Sequence, residues 1–337
     1  MGEDAARAFG ASPGGNWAAE HGETNVLWRP EGTTSEMVDL EEARRVLFDQ
    51  REHRARPATD DKVLTAWNAM AIQAFAEAGR AFGNDAFTQA AVAATEFVLK
   101  HLRRADGRLL RSWRHGSPGG PGYADDHALL ASAMLSLFSR TGELRWFREA
   151  RRLVDDLIRL FADQNGGFFQ TGIDVDPLVI RPKELYDNAV PSGNSAAADV
   201  LQRMALLTGD AELERIGISA LRVIRDVLGR APTGFGHALS ALDLYLGPSR
   251  EVAIVGSMEE PATTALADEV LAARFLPNTV LAVGGPDDHE ANEAVELLRD
   301  RPQIDGLPTA YVCRRFACRL PVTTTEDLAD QLLEAGR

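Results

Sequence analysis

Cysteine is nearly missing from this chain: Cys313 and Cys318 are the only two among 337 residues. Two thiols cannot staple a polypeptide of this length, which excludes the small disulfide-scaffold class. Four residues stand between them, more than in the usual redox or zinc pair, and no second Cys/His pair lies nearby in sequence. The reading is therefore two reduced thiols, Cys313 buried at the end of an apolar strand, with no disulfide and no bound metal. Long hydrophobic runs are missing too. None approaches the ~20 residues of a membrane span, so no membrane partner is expected. Positive charge is in short supply, with Lys+Arg 36 against Asp+Glu 50 and a net charge of −14. Such a field repels phosphate backbones and argues against nucleic acid as a partner. The opening Met1-Gly2-Glu3-Asp4 has no signal-peptide core, which predicts a cytoplasmic location. Val255-Gly256 lacks the other glycines of a dinucleotide fingerprint, and no Gly-rich, Lys-terminated phosphate loop occurs, so no cofactor is expected.

What is present is an ordinary globular composition, 45% hydrophobic and 26% charged, in a chain long enough for about two domains at ~150 residues each. Asp60-Asp61, Asp125-Asp126 and Asp187-Asn188 recur roughly 60–65 residues apart. Each pair precedes an Ala-rich segment that is apolar almost all round: Ala66 to Ala78, Ala128 to Phe138, and Ser195 to Leu207 after Pro191-Ser192-Gly193-Asn194. Helices of that kind are buried on every side. A turn follows at Gly83, Gly142 or Gly209, as at a helix C-cap. Then comes an amphipathic helix, Asp85 to His101, Leu144 to Phe161, or Ala211 to Leu228. Each ends in a Gly-containing loop: Asp106-Gly107-Arg108-Leu109, Asn165-Gly166-Gly167-Phe168-Phe169, or Thr233-Gly234-Phe235-Gly236.

A buried helix, a turn, an amphipathic helix and a long loop cannot hide the inner helix alone, so the copies must stack. Long loops on one edge, carrying aromatic, Gly and acidic residues, favour a ring around a pocket over an open solenoid. A helix from Leu40 to Arg56 precedes the first repeat, and His237 to Leu246 reads as one more inner helix. After Gly247-Pro248-Ser249 the pattern changes. Glu251 to Gly256, Thr279 to Gly284 and Thr309 to Cys313 read as strands, alternating with helices at Ala262 to Phe275, Glu290 to Arg299 and Thr325 to Ala335. That alternation predicts a small parallel α/β unit. The expected organisation is an irregular segment over 1–34 with a possible strand at Thr24 to Trp28, hairpins over 35–248, and the α/β unit over 249–337.

Two stretches, Asp60 through Asn68 (DDKVLTAWN) and Arg181-Pro182-Lys183-Glu184 through Ser195, resemble the thioredoxin-domain-containing proteins typified by spermatogenesis-associated protein 20. Tyr123-Ala124-Asp125-Asp126 and the run from Thr309 to Thr323 look like further segments of that family. The resemblance extends from about residue 8 to the C-terminus. It implies a mainly α fold, a partial α/α toroid similar to the six-hairpin glycosidases and N-acylglucosamine 2-epimerases. Members of the family also carry an N-terminal thioredoxin-like domain and the first hairpins of the toroid. By that resemblance this chain looks like the C-terminal half, and no thioredoxin chemistry is expected to carry over to it. The helices present are too few to close such a ring. Apolar sides of the first and last inner helices should then face water or a partner, which predicts self-association.

An Asp at a helix start is explained either as a cap or as a cavity carboxylate. If the inner helices begin at one edge, Asp61, Asp126 and Asp187 become neighbours, with Glu184 close by. Converging carboxylates suit glycoside hydrolysis, one protonated to feed the leaving oxygen and one ionised to activate water. Asp61 and Asp126 are the preferred pair, with Glu184 and Asp187 as alternatives. Trp67, Tyr123, Phe168, Phe169 and Tyr186 stand beside them as sugar platforms or as core. Asp60, Asp125, Asn68, Asn188 and Asn194 are candidates to bond hydroxyls or merely to satisfy loop backbone. Arg181 and Lys183 are placed to hold a carboxylate or phosphate, or to pair with nearby Asp residues. His237 opens an inner helix and would be the base of an epimerase. The expected ligand is a sugar-like small molecule, processed by hydrolysis, epimerised, or bound by a non-catalytic scaffold.

Overall fold

A computed structural model of the chain describes residues 3–17, 24–29, 31, 40–176, 179–271 and 276–334. The chain divides into two units, Met1–Asp61 and Lys62–Arg337. The first unit contains α1 (Glu3–Ala8) and α2 (Leu40–Glu52). Asn16 ties its loop together, donating to Gly10 O and Val26 O and accepting from Val26 N–H. The expected strand at Thr24 to Trp28 is an extended segment with a single isolated bridge, Thr24 to Trp17. Helix α2 stops at Glu52, short of Arg56, and belongs to this unit and not to the hairpins. The expected boundary at 34/35 lies outside the described residues.

The second unit opens with β1 (Val63–Leu64), α3 (Thr65–Ala81), α4 (Asp85–His101), β2 (Ser112–Arg114) and β3 (Ser117–Pro118). It continues through α5 (Ala124–Thr141), α6 (Leu144–Phe161), α7 (Gly193–Thr208), α8 (Ala211–Leu228) and α9 (Gly236–Leu246). Helices α3, α5, α7 and α9 are the inner layer, each packed against the next; α4, α6 and α8 pair with α3, α5 and α7 as outer partners. This is a partial α/α toroid of helical hairpins. The reason is visible in α5, where Ala128, Leu130, Ala131, Ala133, Met134, Leu137 and Phe138 are all fully buried. Each large side chain among them contributes about 1.5–3 kcal/mol by leaving water. Helix α6 instead buries Trp146, Leu153, Val154, Leu157 and Phe161 on one stripe and turns Arg151, Asp155 and Arg159 toward solvent. Gly142 and Gly209 end α5 and α7 at φ +71° and +68°, left-handed positions that a residue with a Cβ rarely adopts.

The chain then forms β4 (Arg250–Val255), α10 (Pro261–Leu271), β5 (Thr279–Gly284), α11 (His289–Ala294), β6 (Thr309–Arg314), β7 (Ala317–Cys318) and α12 (Thr325–Glu334). The ends of the expected helices at Phe275 and Ala335 fall outside the described residues. The sheet order is β5-β4-β6-β7. Only β4 and β5 are parallel; β6 runs antiparallel to β4, which corrects the expectation of a parallel unit. Helix α10 makes a full crossover, whereas α11 breaks after six residues and the chain returns through turns at 299–300 and 305–306, entering β6 from the opposite end. The sheet packs on the inner helices. Ser139 Oγ donates to Leu281 O at 2.9 Å, and the buried Arg80 pairs with Asp268 at 2.5 Å. The hairpins and the α/β elements both lie within the unit Lys62–Arg337.

Cys313 and Cys318 are joined as a disulfide, contrary to the expectation of two reduced thiols. Arg315 and Phe316 form the tight β6–β7 turn, and the antiparallel register sets the two cysteines directly opposite each other. Spacing measured against metal and redox motifs misses this, because strand pairing and not a motif brings them together.

Candidate functional site

The inner helices all start at one edge. Ala66 N–H, in the first turn of α3, donates 2.9 Å to Asp126 Oδ1 at the start of α5. A Cβ added to Gly193, the first residue of α7, would lie 3.2 Å from Asp125 N. Asp187, just before α7, accepts from His237 N–H and Ala238 N–H at the start of α9, at 2.9 and 3.0 Å. Two side-chain carboxylates and one close backbone approach thus link four helix N-termini in sequence, α3 to α5 to α7 to α9.

These contacts engage Asp126, one of the preferred pair, and Asp187, one of the alternatives. Asp126 is fully buried. Besides Ala66 N–H on Oδ1, its Oδ2 accepts from Tyr123 N–H at 2.8 Å and meets Arg111 Nη1 at 2.9 Å. Asp187 Oδ1 accepts from Ser192 N–H at 2.8 Å and from the Ser195 hydroxyl, while Oδ2 takes the two α9 N–H groups. Both side chains cap helices other than their own, and neither has an oxygen left over. Asp60 and Asp61 are exposed, at the end of the first unit. They do not cap α3, because β1 intervenes and the residue at the cap is Leu64.

Asp125 is different. One oxygen accepts from Arg111 Nη1 at 2.8 Å; the other, Oδ1, is buried and has no hydrogen-bond partner among the described residues. Arg111 is the hinge of this arrangement, because the same nitrogen holds both carboxylates while the guanidinium stacks 4.8 Å from the Tyr123 ring. It is positioned from behind: Arg111 O accepts from Thr65 N–H at 3.0 Å, and Thr65 Oγ1 donates to Leu110 O at 2.6 Å. Burial first, and then the Asp125 charge, push Asp126 up to about 7 against the pull of Arg111 and the Tyr123 N–H. Burial pulls the Arg111 guanidinium down, but the charges of Asp126 and Asp125 more than reverse this and hold it above its ordinary range.

The remaining candidates fall into two groups. Some serve the fold. Phe168 is core, and Asn194 is a buried clip, accepting from Phe168 N–H and donating to Phe168 O and Glu184 O. Asn68 donates to Leu64 O within its own turn. Lys183 pairs with Asp163 at 2.7 Å and donates to Gly166 O, while Arg181 donates to Thr171 O; both cations lie over the Phe169 ring. These cations serve loop backbone and a local ion pair. Others are open to solvent: Trp67 is 59% exposed, and Tyr186, tilted against buried Phe235 with ring centroids 4.9 Å apart, is 49% exposed. Glu184 and Asn188 are also exposed, and His237 is half-buried.

Arg111 and the buried His127 are missing from the sequence reading. His127 Nδ1 donates to Tyr123 O at 2.8 Å, and its Nε2 accepts at 3.1 Å from the buried Arg108, itself paired with Asp174 at 2.7 Å. Burial holds His127 down to about 4. Among the described residues no cluster of three or more His, Cys, Asp or Glu could hold a metal ion, and no helix is long and apolar enough to cross a membrane.

No protein-family model matches the chain. Among solved structures it is similar to cellobiose 2-epimerase from Spirochaeta thermophila, 17% identical with a TM-score of 0.41, covering 49% of this chain and 43% of that one. It is also similar to a family 76 glycoside hydrolase, an α-mannanase of Bacteroides thetaiotaomicron, at 16% identity and a TM-score of 0.40, covering 49% and 46%. In sequence it is 30% identical to human spermatogenesis-associated protein 20 over 290 residues, and 28% identical to the rat protein over 292 residues. The match takes in 82% of this chain but 37% of the human protein and 36% of the rat one. The chain is homologous to spermatogenesis-associated protein 20 over about 82% of its own length, and it spans little more than a third of that relative.

Proposed function

We propose that the edge where the inner helices begin binds a sugar-like, polyhydroxylated ligand, and that Asp125 is the carboxylate that meets it. The observation that carries this is the Asp125 Oδ1 atom, buried and without a partner among the described residues, beside an oxygen that Arg111 holds in place. A buried acceptor left open costs stability, and a ligand hydroxyl would satisfy it. The exposed Trp67 and Tyr186 rings offer the apolar faces that sugar rings stack on. Asp126 is a positioning residue in this reading: it fixes Arg111 and the α3 start, and Arg111 fixes Asp125.

Glycosidase-like acid/base chemistry then runs through Asp125 with Glu184 as the second carboxylate. Glu184 is tethered to the same edge, since its carbonyl accepts from Asn194, the residue after Gly193. One carboxyl would feed the leaving oxygen and the other would activate water. Asp125→Asn and Glu184→Gln variants, titrated with a panel of mono- and disaccharides and assayed for reducing-sugar release, test both halves. Loss of binding in Asp125→Asn supports the ligand site, and loss of turnover with retained binding in Glu184→Gln supports the acid/base pair.

A second reading, a non-catalytic scaffold, is favoured by one observation. Asp126 and Asp187 spend every oxygen on helix starts, so the edge also works as a structural seam. A panel in which no sugar binds the wild-type chain would support it.

A further inference from the structure

The Cys313–Cys318 pair has surroundings that a purely structural crosslink does not need. Cys313 is buried on β6, whereas Cys318 on β7 is exposed, so one sulfur is offered to solvent and the other is not. Arg301 reaches across to them. Its Nη2 lies 3.2 Å from Cys318 Sγ and 3.7 Å from Cys313 Sγ, while Nη1 donates to Arg299 O at 2.9 Å and the guanidinium stands 5.8 Å from the Tyr311 ring. Sulfur in a disulfide is a poor acceptor; a thiolate is a good one, and a fixed guanidinium is the neighbour that stabilises it. The charged and titratable groups around Arg301 are Glu251, Glu296, Asp300 and Tyr311.

The hairpin is also built to survive opening. Its turn places Arg315 and Phe316 at φ +49° and +60°, a conformation unfavourable for side chains of that size. The fully buried Glu251 carboxylate holds it there, accepting from Arg315 N–H and Phe316 N–H, both at 2.7 Å. Cys313 is itself cross-strand partner to Glu251 on β4. The strand and the turn are therefore fixed independently of the sulfur–sulfur bond.

We propose that Cys313 and Cys318 form a thiol–disulfide exchange site for a dithiol partner, with Arg301 as the positioning residue that holds the released sulfur as a thiolate. In the forward step one thiolate of the dithiol attacks the exposed Cys318 sulfur. The Cys318–Cys313 bond breaks, and Cys313 leaves as a thiolate beside Arg301. The second thiolate of the partner then attacks its own sulfur in the mixed disulfide and releases Cys318, so the chain gains two electrons and the partner becomes a disulfide. The reverse sequence oxidises the pair.

The experiment uses the full chain with dithiothreitol as the dithiol. Folded wild-type protein should yield two alkylatable thiols per chain with its circular dichroism unchanged. The pH profile of their alkylation should place the more reactive thiol below the ordinary thiol pKa of about 8.5. Arg301→Gln should raise that pKa and slow reduction about tenfold, and Arg301→Lys should restore most of the rate. Thiols that emerge only in denaturant would overturn the proposal, as would a pH profile identical in wild type and Arg301→Gln. Should Arg301→Gln fail to fold, the wild-type profile decides alone, and an ordinary thiol pKa there overturns it.

Discussion

Two neighbouring aspartates show how differently the same residue type is used at one edge of this fold. Asp126 lies in the seam between inner helices with both oxygens engaged by two backbone N–H groups and a guanidinium. Asp125 shares that guanidinium but keeps an oxygen without a partner among the described residues. Asp187 repeats the first pattern between α7 and α9. The seam joins helices, and the Asp125 oxygen beside it is the acceptor on which the proposed ligand site rests. A carboxylate's role here is set by whether the next helix in the ring brings its N-terminus to it.

The sharpest break in this comparison is Asp126→Ala. It leaves Ala66 N–H, Tyr123 N–H and Arg111 without their acceptor in a dry seam, and should cost about 4 kcal/mol in urea unfolding at pH 7. Asp126→Asn does not rescue it. An amide keeps one acceptor oxygen where two are used, and it turns a donor toward other donors.

Acid should expose the seam as well. His127 is held down to about 4 by burial, below the ~6.5 of an unfolded histidine. As pH falls below about 6.5 the unfolded chain takes up the proton first, so this contribution is complete above that pH and is lost on the way to about 4. It amounts to roughly 3 kcal/mol. Asp126 acts in the opposite sense: its carboxyl is raised to about 7, so its contribution is greatest in acid and declines as pH rises through that value. Comparing the pH dependence of unfolding in wild type and His127→Gln isolates the histidine, and the variant should have the flatter acid limb.

Asp187→Ala should cost about 2 kcal/mol, less than Asp126→Ala because the site is partly exposed. Faster hydrogen exchange should be confined to the starts of α7 and α9. The smallest effect concerns α3, whose outer face exposes Trp67 and Phe75. Weak, concentration-dependent self-association is expected in sedimentation, diminished by Phe75→Ser.

The sequence made the hairpins legible because inner and outer helices differ in composition. Ala-rich, evenly apolar segments became α3, α5 and α7, and the amphipathic helices α4, α6 and α8 run over the expected Asp85–His101, Leu144–Phe161 and Ala211–Leu228. The direction of β6 was hidden, since strand composition does not report which end the chain enters from. The Cys313–Cys318 bond was hidden for the same reason, as it follows from register. The acidic pairs at 125–126 and 187–188 marked the starts of inner helices, but the difference between Asp125 and Asp126 depends on Ala66, Thr65 and Arg111 arriving from elsewhere in the chain.

The most direct test is a calorimetric saccharide titration of wild type and Asp125→Asn, with melting curves of both. Asp125 forms a partly exposed ion pair, so its loss should move stability by less than about 1 kcal/mol. The account predicts a melting temperature close to that of the wild type and at least about a tenfold loss of affinity, the worth of one hydrogen bond to a charged group. Undiminished affinity, or destabilisation as large as that of Asp126→Ala, would contradict it.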